Sequence, residues 1–268
     1  MEKLIVLGTG NAMVTRCYNT CFAIFDSEEY FLVDGGGGNG ILKQMEDARI
    51  PFERVRNMFV SHAHTDHILG VIWVIRKIAT MLRQGKYKPP FTIYCYPELA
   101  EAIRTIATLT LVPAMVKQID ENNILFRPIT DGETARIGPY GTTFFDIHST
   151  KQKQFGFSLN LMNGSKLTFI GDEPYNKRCE HYVAGSRWLL SEAFCLYAER
   201  ERFKPYEKHH ATVKDACELA QSLNVENLVL WHTEDSNIAR RKELYTVEGR
   251  EYYTGNLFVP DDFDVIEF

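Results

Sequence analysis

Four side chains that can bind a metal ion stand within six residues, directly after a short apolar segment that is predicted as a β-strand. The sequence of residues 62–67 is His-Ala-His-Thr-Asp-His, and an apolar pattern with helical spacing follows it. In an extended segment alternate side chains point the same way, so His62 and His64 can hold one ion. Asp66 and His67 come after the chain has turned and suit a second ion. The pattern predicts a strand that ends at a metal centre.

Three further ligand candidates stand where other apolar segments end. His148, Asp172 and His232 each lie at or just after the end of a segment that is predicted as a strand. Polar residues at strand ends lie in wet loops that the strands hold in place, which suits ligand binding. One carboxylate can bridge two cations, so Asp172 is the candidate bridge. Imidazole and carboxylate ligands favour two divalent ions, with zinc first and iron or manganese as alternatives.

Short β-rich segments alternate with amphipathic helices, and the second half of the chain echoes the first. This alternation predicts an α/β fold of two sheets packed face to face with helices outside. No linker or shift in composition divides the chain, so we expect a single domain over residues 1–268. Strands are predicted at Leu4–Leu7, Cys21–Phe25, Tyr30–Val33, Asn57–Ser61, Phe91–Cys95, Thr142–His148, Phe155–Met162, Lys166–Ile170, Arg187–Ser191 and Leu228–Trp231. Helices are predicted at Ile68–Gln84, Glu98–Leu109 and Val213–Leu223.

Composition excludes several classes of protein. The chain has 30 Lys and Arg residues and 35 Asp and Glu residues, a net charge of −5. This charge argues against a protein that binds nucleic acid over its whole surface. No stretch is apolar for the roughly 18 residues that a membrane span needs, and the first residues lack the pattern of a signal peptide. The six cysteines are scattered and are expected to be reduced thiols. These features predict a cytoplasmic protein.

The order and spacing of these ligands resemble the metallo-β-lactamase-fold hydrolases, and within them the ribonuclease Z branch. Further matches to that branch are Leu7-Gly8-Thr9-Gly10, Asp34-Gly35-Gly36-Gly37, His148-Ser149-Thr150 and His210-Ala211-Thr212. The resemblance implies a four-layer αββα sandwich of two mixed β-sheets in one hydrolase domain. It covers most of the chain, from about Leu4 to Asp235.

The resemblance also implies roles for individual residues. One metal ion would be held by His62, His64 and His148, the other by Asp66, His67 and His232, with Asp172 shared. Asp34 would accept a hydrogen bond from a ligand histidine and so orient it. Asp66 would orient the attacking water, and Glu192 would pair with His210, which would protonate the leaving oxygen.

Departures from the ribonuclease Z pattern concern the substrate. Ser191 stands where that branch usually has histidine before the glutamate, and the Gly-Leu-Pro-Gly motif is missing from the helix that begins after the histidine cluster. The stretch from His148 to Asp172 is too short for the long tRNA-binding arm of many bacterial members. The resemblance implies that the catalytic centre is retained, whereas specificity for tRNA does not follow.

These observations predict a dinuclear metal-dependent phosphodiesterase of ribonuclease Z type, in which two cations activate a shared water. Its substrate would be a small phosphodiester or an RNA 3′ end, which the protein would cleave as an endonuclease. One alternative is a lactone, thioester or sulfate ester hydrolase on the same centre. Another is a non-catalytic metalloprotein that binds nucleic acid or a partner. The resemblance also allows a homodimer.

Overall fold

The computed structural model describes residues 2–268. They form two compact units, each built on one seven-stranded mixed sheet. The first unit comprises residues 2–8, 18–129 and 263–268. The second comprises residues 9–17 and 130–262. The expected α/β class with two mixed sheets and accompanying helices is therefore confirmed.

The first unit has the strand order β14-β1-β2-β3-β4-β5-β6. The pairs from β14 to β3 are antiparallel and those from β3 to β6 are parallel. Its strands are β1 (Lys3–Gly8), β2 (Cys21–Phe25), β3 (Tyr30–Val33), β4 (Val55–Phe59), β5 (Phe91–Cys95), β6 (Ile124–Pro128) and β14 (Val265–Glu267). Its helices are α1 (Gly40–Asp47), α2 (Thr65–Arg83), α3 (Pro97–Thr110) and α4 (Pro113–Asp120).

Helices connect the parallel strands of this sheet, as parallel pairing requires. Helix α1 lies between β3 and β4, α2 between β4 and β5, and α3 with α4 between β5 and β6. The buried face of α2 includes Val71, Ile75 and Ile78, which recur at helical spacing. Helix α2 begins three residues before the predicted start at Ile68, because His64 is the last extended residue. Asp66 therefore lies in the first helical turn, where a carboxylate is favoured.

The second unit has the strand order β13-β12-β11-β10-β9-β8-β7, antiparallel from β7 to β10 and parallel from β10 to β13. Its strands are β7 (Thr134–Ile137), β8 (Tyr140–Asp146), β9 (Phe155–Asn160), β10 (Lys166–Phe169), β11 (Trp188–Glu192), β12 (Asn227–Trp231) and β13 (Asn256–Phe258). Its helices are α5 (Glu180–Val183), α6 (Arg200–Phe203), α7 (Val213–Ser222) and α8 (Arg241–Gly249).

Local sequence explains the boundaries of several of these elements. Asn163-Gly164 joins β9 to β10, and Gly164 has φ +82°, a conformation that glycine adopts without strain. Thr212 caps α7 by accepting from the Asp215 backbone N–H, while the Asp215 carboxylate accepts from the Thr212 backbone in return. An apolar cluster around Phe145, Leu189 and Val213 forms a core of this unit.

The sequence did not predict helices α1, α4, α5, α6 and α8, nor the outer strands of either sheet. The outer strands are short, and β6 and β7 carry exposed polar residues, so their alternation of apolar and polar side chains is weak. Within residues 2–268, none of the helices is both long and apolar enough to cross a membrane.

Candidate metal centre

The histidine cluster of the first unit, residues 62–67, lies shortly after strand β4. The chain stays extended through His64 and then enters α2, so the candidate ligands flank the point where strand gives way to helix. His62 and His67 are 1% exposed and Asp66 is 5% exposed. His62 Nε2 lies 2.8 Å from His64 Nδ1. Two imidazole nitrogens this close either share one proton or bind the same cation.

His67 belongs to the same cluster, although it follows the turn. Its ring centroid lies 4.2 Å from that of His62, and one ligand atom of each residue lies within 4.8 Å of the other. The His67 Nε2 atom is 3.4 Å from Asp66 Oδ2. The turn into α2 therefore does not separate His67 from His62. The first helical turn places the His67 ring beside it.

Asp34 fixes the orientation of this cluster. It follows β3, is 1% exposed, and has φ +57°, which is uncommon except for glycine, asparagine and aspartate. Its carboxylate accepts from the Ser61 N–H at 2.8 Å, from the Ser61 hydroxyl at 2.7 Å and from His67 Nδ1 at 2.9 Å. The bond from Nδ1 directs Nε2 of His67 toward Asp66, as in carboxylate–histidine–metal arrangements. The predicted contact of Asp34 with a candidate ligand is present.

The candidate ligands of the second unit follow β8, β10 and β12. His232 Nε2 lies 3.4 Å from Asp172 Oδ2, and both residues are buried. The Gln154 side-chain amide donates to Asp172 Oδ1 and restricts the rotation of the carboxylate. His148 is partly exposed, and its N–H donates to Asp146 Oδ1 at 2.7 Å.

Two of these ligand candidates have strained backbones. His148 has φ +58° and His232 has φ +55°, in the left-handed region that side chains other than glycine disfavour. Strain of this kind persists only where the surrounding structure enforces it, and it clusters at functional sites.

His210 and Glu192 form the contact that the resemblance implied. Glu192 ends β11 and is fully buried, and its Oε2 lies 2.6 Å from His210 Nδ1. Its Oε1 accepts from the Ala211 N–H at 2.7 Å. His210 Nδ1 is also 3.0 Å from the Asp172 carbonyl oxygen, which can only accept. Nδ1 therefore carries a proton, and Nε2 is the nitrogen left to exchange a proton with a substrate.

Burial controls the charge of this pair. It raises the pKa of Glu192 well above its ordinary value, and the neighbouring Asp172 carboxylate adds to the increase. Burial, together with the positive charge of Lys151, lowers the pKa of His210 to about 4. Both shifts favour the neutral forms, because removing a charge from water costs free energy.

Three positioning residues were not identified from the sequence. Ser61 and Gln154 hydrogen-bond to Asp34 and Asp172, and the Phe194 ring lies parallel to that of His210, with centroids 5.0 Å apart. Nothing in the local sequence marks Gln154 or Phe194, since their partners are distant in the chain. Ser61 adjoins the histidine cluster, which is the one signal that could have drawn attention to it.

The donor set of each unit fits a divalent metal. Each unit contributes buried imidazole nitrogens together with carboxylate oxygens, and such groups are costly to bury unless they bind a partner. Nitrogen and oxygen donors without thiolate suit zinc, manganese or iron. The six cysteines are free thiols and are not among these donors.

Comparison with known proteins gives the family. Over residues 2–247 the chain matches the family model described as anti-Pycsar protein Apyc1. A ribonuclease Z of Thermococcus onnurineus is 25% identical over 315 aligned positions, which cover 100% of this chain and 95% of that protein.

Solved structures of known proteins share the fold. The metallo-β-lactamase fold protein YhfI from Bacillus subtilis superposes with a TM-score of 0.79 at 16% identity, covering 99% of this chain and 98% of that one. Zinc-bound PqqB from Methylobacterium extorquens superposes with a TM-score of 0.72 at 15% identity, covering 99% of this chain and 100% of that one. The predicted fold is confirmed by this likeness. The chain has the metallo-β-lactamase fold and belongs to the family of anti-Pycsar protein Apyc1.

Proposed function

We propose that this protein is a metal-dependent phosphodiesterase that opens cyclic nucleotides. The observation that carries the proposal is the match to the Apyc1 family, a family of cyclic nucleotide phosphodiesterases, over residues 2–247. Buried histidine and aspartate side chains of both units supply the polar groups that such a reaction needs. The full-length similarity to ribonuclease Z supports phosphodiester chemistry as well.

Two divalent ions, preferably zinc, would be bound by one hydrolase domain over residues 1–268. We assign His62, His64 and His148 to one ion, Asp66, His67 and His232 to the other, and Asp172 to both. When bound, such ions lower the pKa of a water molecule and stabilise negative charge on phosphoryl oxygens. Iron or manganese would suit the same donors.

Side chains of the protein would position the attacking water and transfer the protons of the reaction. Asp66 would accept a hydrogen bond from the attacking water and orient it toward phosphorus. The water oxygen bonds to phosphorus, and the bond from phosphorus to one ribose oxygen breaks. His210 Nε2 would take up the proton that the attacking water loses and pass a proton to that departing oxygen, while Glu192 accepts from Nδ1 and holds the ring. The product is a nucleoside monophosphate.

Several features favour a small substrate over a precursor tRNA. The stretch between His148 and Asp172 consists of the β9–β10 hairpin with its flanking loops, which leaves no length for a tRNA-binding arm. The net charge of −5 disfavours a broad RNA-binding surface.

Cleavage of RNA 3′ ends and a homodimer, which the ribonuclease Z resemblance also implied, stay predictions. The free thiols support a reducing compartment such as the cytoplasm.

The test is a comparison of substrates with zinc-loaded protein of measured metal content. We expect hydrolysis of 3′,5′-cyclic AMP or 3′,5′-cyclic CMP with kcat/KM on the order of 10⁴ M⁻¹ s⁻¹ or more. Turnover of a lactone, a thioester, a sulfate ester and a precursor tRNA is expected to be much slower. The Asp172→Ala variant should lose activity, which excludes a contaminating phosphodiesterase.

Asp131→Asn is the matched control. Asp131 is another aspartate of the second unit, just before β7, and accepts a backbone hydrogen bond, from Asp146 at 2.9 Å, but it is exposed. It should keep activity within about twofold, as surface substitutions usually do. Faster turnover of another ester class, or no turnover of any phosphodiester with both ions bound, would overturn the proposal.

A further inference from the structure

A cavity of about 470 Å³ in the second unit opens beside His148 and His210, the residues that the proposed reaction uses. Ligand sites in proteins usually measure roughly 300–1,000 Å³. A second cavity of about 260 Å³ adjoins it, and the two share Pro174, Tyr175 and Tyr206 in their walls. The space next to the reacting groups is therefore of the size of a small-molecule ligand site.

The walls of the first cavity carry polar groups that can bind a ligand. The Asn176 side-chain oxygen accepts from the Arg178 N–H at 3.1 Å, which fixes the side chain, while its NH₂ group has no acceptor within residues 2–268. Lys177 is exposed on the same wall. His209 is held by a contact of 2.8 Å between its Nδ1 and the Thr150 hydroxyl.

The second cavity is largely apolar and bounded by aromatic rings. Tyr206 is 52% exposed, and its hydroxyl donates to Asp215 Oδ2 at 3.0 Å, so the ring is held in place. Tyr175 packs against the core of the unit, and its buried hydroxyl has no hydrogen-bond partner within the described chain. Ala211, Ala216 and Leu219 complete the apolar wall. A buried hydroxyl without a hydrogen-bond partner destabilises the folded protein, and a ligand atom that bonds to it would remove this cost.

We infer that these joined cavities bind the base of a cyclic nucleotide, with Tyr206 as the stacking platform and the Asn176 amide as the hydrogen-bond donor. The inference rests on the proposed function and adds the part of the substrate that the protein recognises. A planar heterocycle has an apolar face that stacks on an aromatic ring and an edge with oxygen or nitrogen acceptors. A polar cavity wall beside an apolar one matches those two properties.

The experiment compares 3′,5′-cyclic AMP with the 3′,5′-cyclic phosphate of 1-deoxyribose, which has the same reacting ring and no base. The measured quantity is the ratio of kcat/KM for the two substrates. Tyr206→Ala should lower this ratio by roughly 5- to 100-fold, the range for loss of one base-stacking contact. The loss should appear in KM for cyclic AMP more than in kcat. Tyr206→Phe keeps the ring and should restore most of the ratio.

Asn176→Asp keeps the side-chain oxygen that accepts from Arg178 and replaces the NH₂ donor with an acceptor. It should also lower the ratio, by about fivefold or more, through loss of the hydrogen bond to the base. Tyr252→Ala is the matched control, because Tyr252 is another partly exposed tyrosine of this unit and does not line either cavity. Thermal unfolding checks that each variant is folded.

The outcomes separate the two proposals. If the wild type hydrolyses cyclic AMP and the ratio is the same in Tyr206→Ala, Asn176→Asp and Tyr252→Ala, the base site is wrong and the phosphodiesterase stands. The same conclusion follows if the wild type hydrolyses both substrates equally well. If the wild type hydrolyses neither substrate, the proposed function fails and the base site fails with it.

Discussion

Individual residues of the candidate centre are held by charged or polar neighbours rather than by their own local conformation. Asp34 illustrates this, because it joins β3, Ser61 and His67 through three hydrogen bonds. Its carboxylate is buried, so the three donors are needed to compensate for lost hydration. Residues of this kind influence the metal affinity of a site without touching the metal ion.

We predict that Asp34→Asn lowers zinc affinity by roughly 10- to 100-fold, because an amide is a weaker acceptor for His67 Nδ1 and cannot accept from all three donors equally. Competition with a chromophoric chelator measures the affinity. Asp26→Asn is the control, since the Asp26 carboxylate also accepts more than one hydrogen bond, from the Glu28 and Glu29 N–H groups in the β2–β3 turn. Unchanged affinity in Asp34→Asn would show that the orientation of His67 has another source.

Cys17 provides a prediction of pH dependence. Burial raises the pKa of its thiol to about 11, and the Asp262 carboxylate adds to the increase. The thiolate is the reactive form, so alkylation by iodoacetamide at pH 8 should be on the order of 100-fold slower than for free cysteine. The rate should rise about tenfold per pH unit toward pH 11. Peptide mass spectrometry measures it, and fast alkylation of folded protein at pH 8 would contradict the shift.

At the scale of elements, the close approach of α2 to the loop after β3 positions the first unit's cluster. The Gly70 N–H donates to the Gly36 carbonyl at 2.8 Å, and the Gly35 N–H donates to the His67 carbonyl at 3.0 Å. A Cβ atom on Gly70 would lie 1.7 Å from the Gly35 carbonyl oxygen. The helix can approach the loop this closely only because position 70 lacks a side chain.

Gly70→Ala should therefore lower the free energy of unfolding by about 3 kcal/mol and reduce the metal content of the purified protein. The backbone of the 35–36 loop would have to move, and α2 carries Asp66 and His67. Gly38→Ala is the control, because a Cβ atom there meets nothing within 4 Å. Urea unfolding and metal analysis measure both effects, and equal stability of the two variants would refute the explanation.

For the whole molecule, metal binding should contribute to stability as well as to catalysis. Buried histidine and aspartate side chains remain costly until a cation binds them. A ligand present at about 1,000 times its Kd stabilises the folded state by about 4 kcal/mol.

Removal of the metal with a chelator should lower Tm by on the order of 10 °C, and two equivalents of zinc should restore it. Calorimetry of the dialysed protein measures the change. Asp172→Ala should show a much smaller shift because it lacks the shared ligand. A Tm that is the same with and without metal would argue against a metal held by these buried groups.

The sequence alone determined the class of the fold and the chemistry of the donors. Strand and helix periodicities report which face of a segment is buried, and a dense cluster such as residues 62–67 restricts the chemistry to metal binding. The resemblance supplied Asp34 and the pairing of Glu192 with His210, and both contacts are present. Short outer strands such as β7 escaped prediction, since their apolar alternation is weak.

Only the tertiary structure decided how the donors are held and what lies beside them. Gln154 contacts Asp172, Phe194 stacks on His210, and the cavities under Tyr206 form where segments distant in the sequence meet. The strained φ angles of His148 and His232 are likewise enforced by surrounding packing. Sequence patterns record the preferences of neighbouring residues along the chain, whereas hydrogen bonds and cavities between distant segments depend on the folded arrangement.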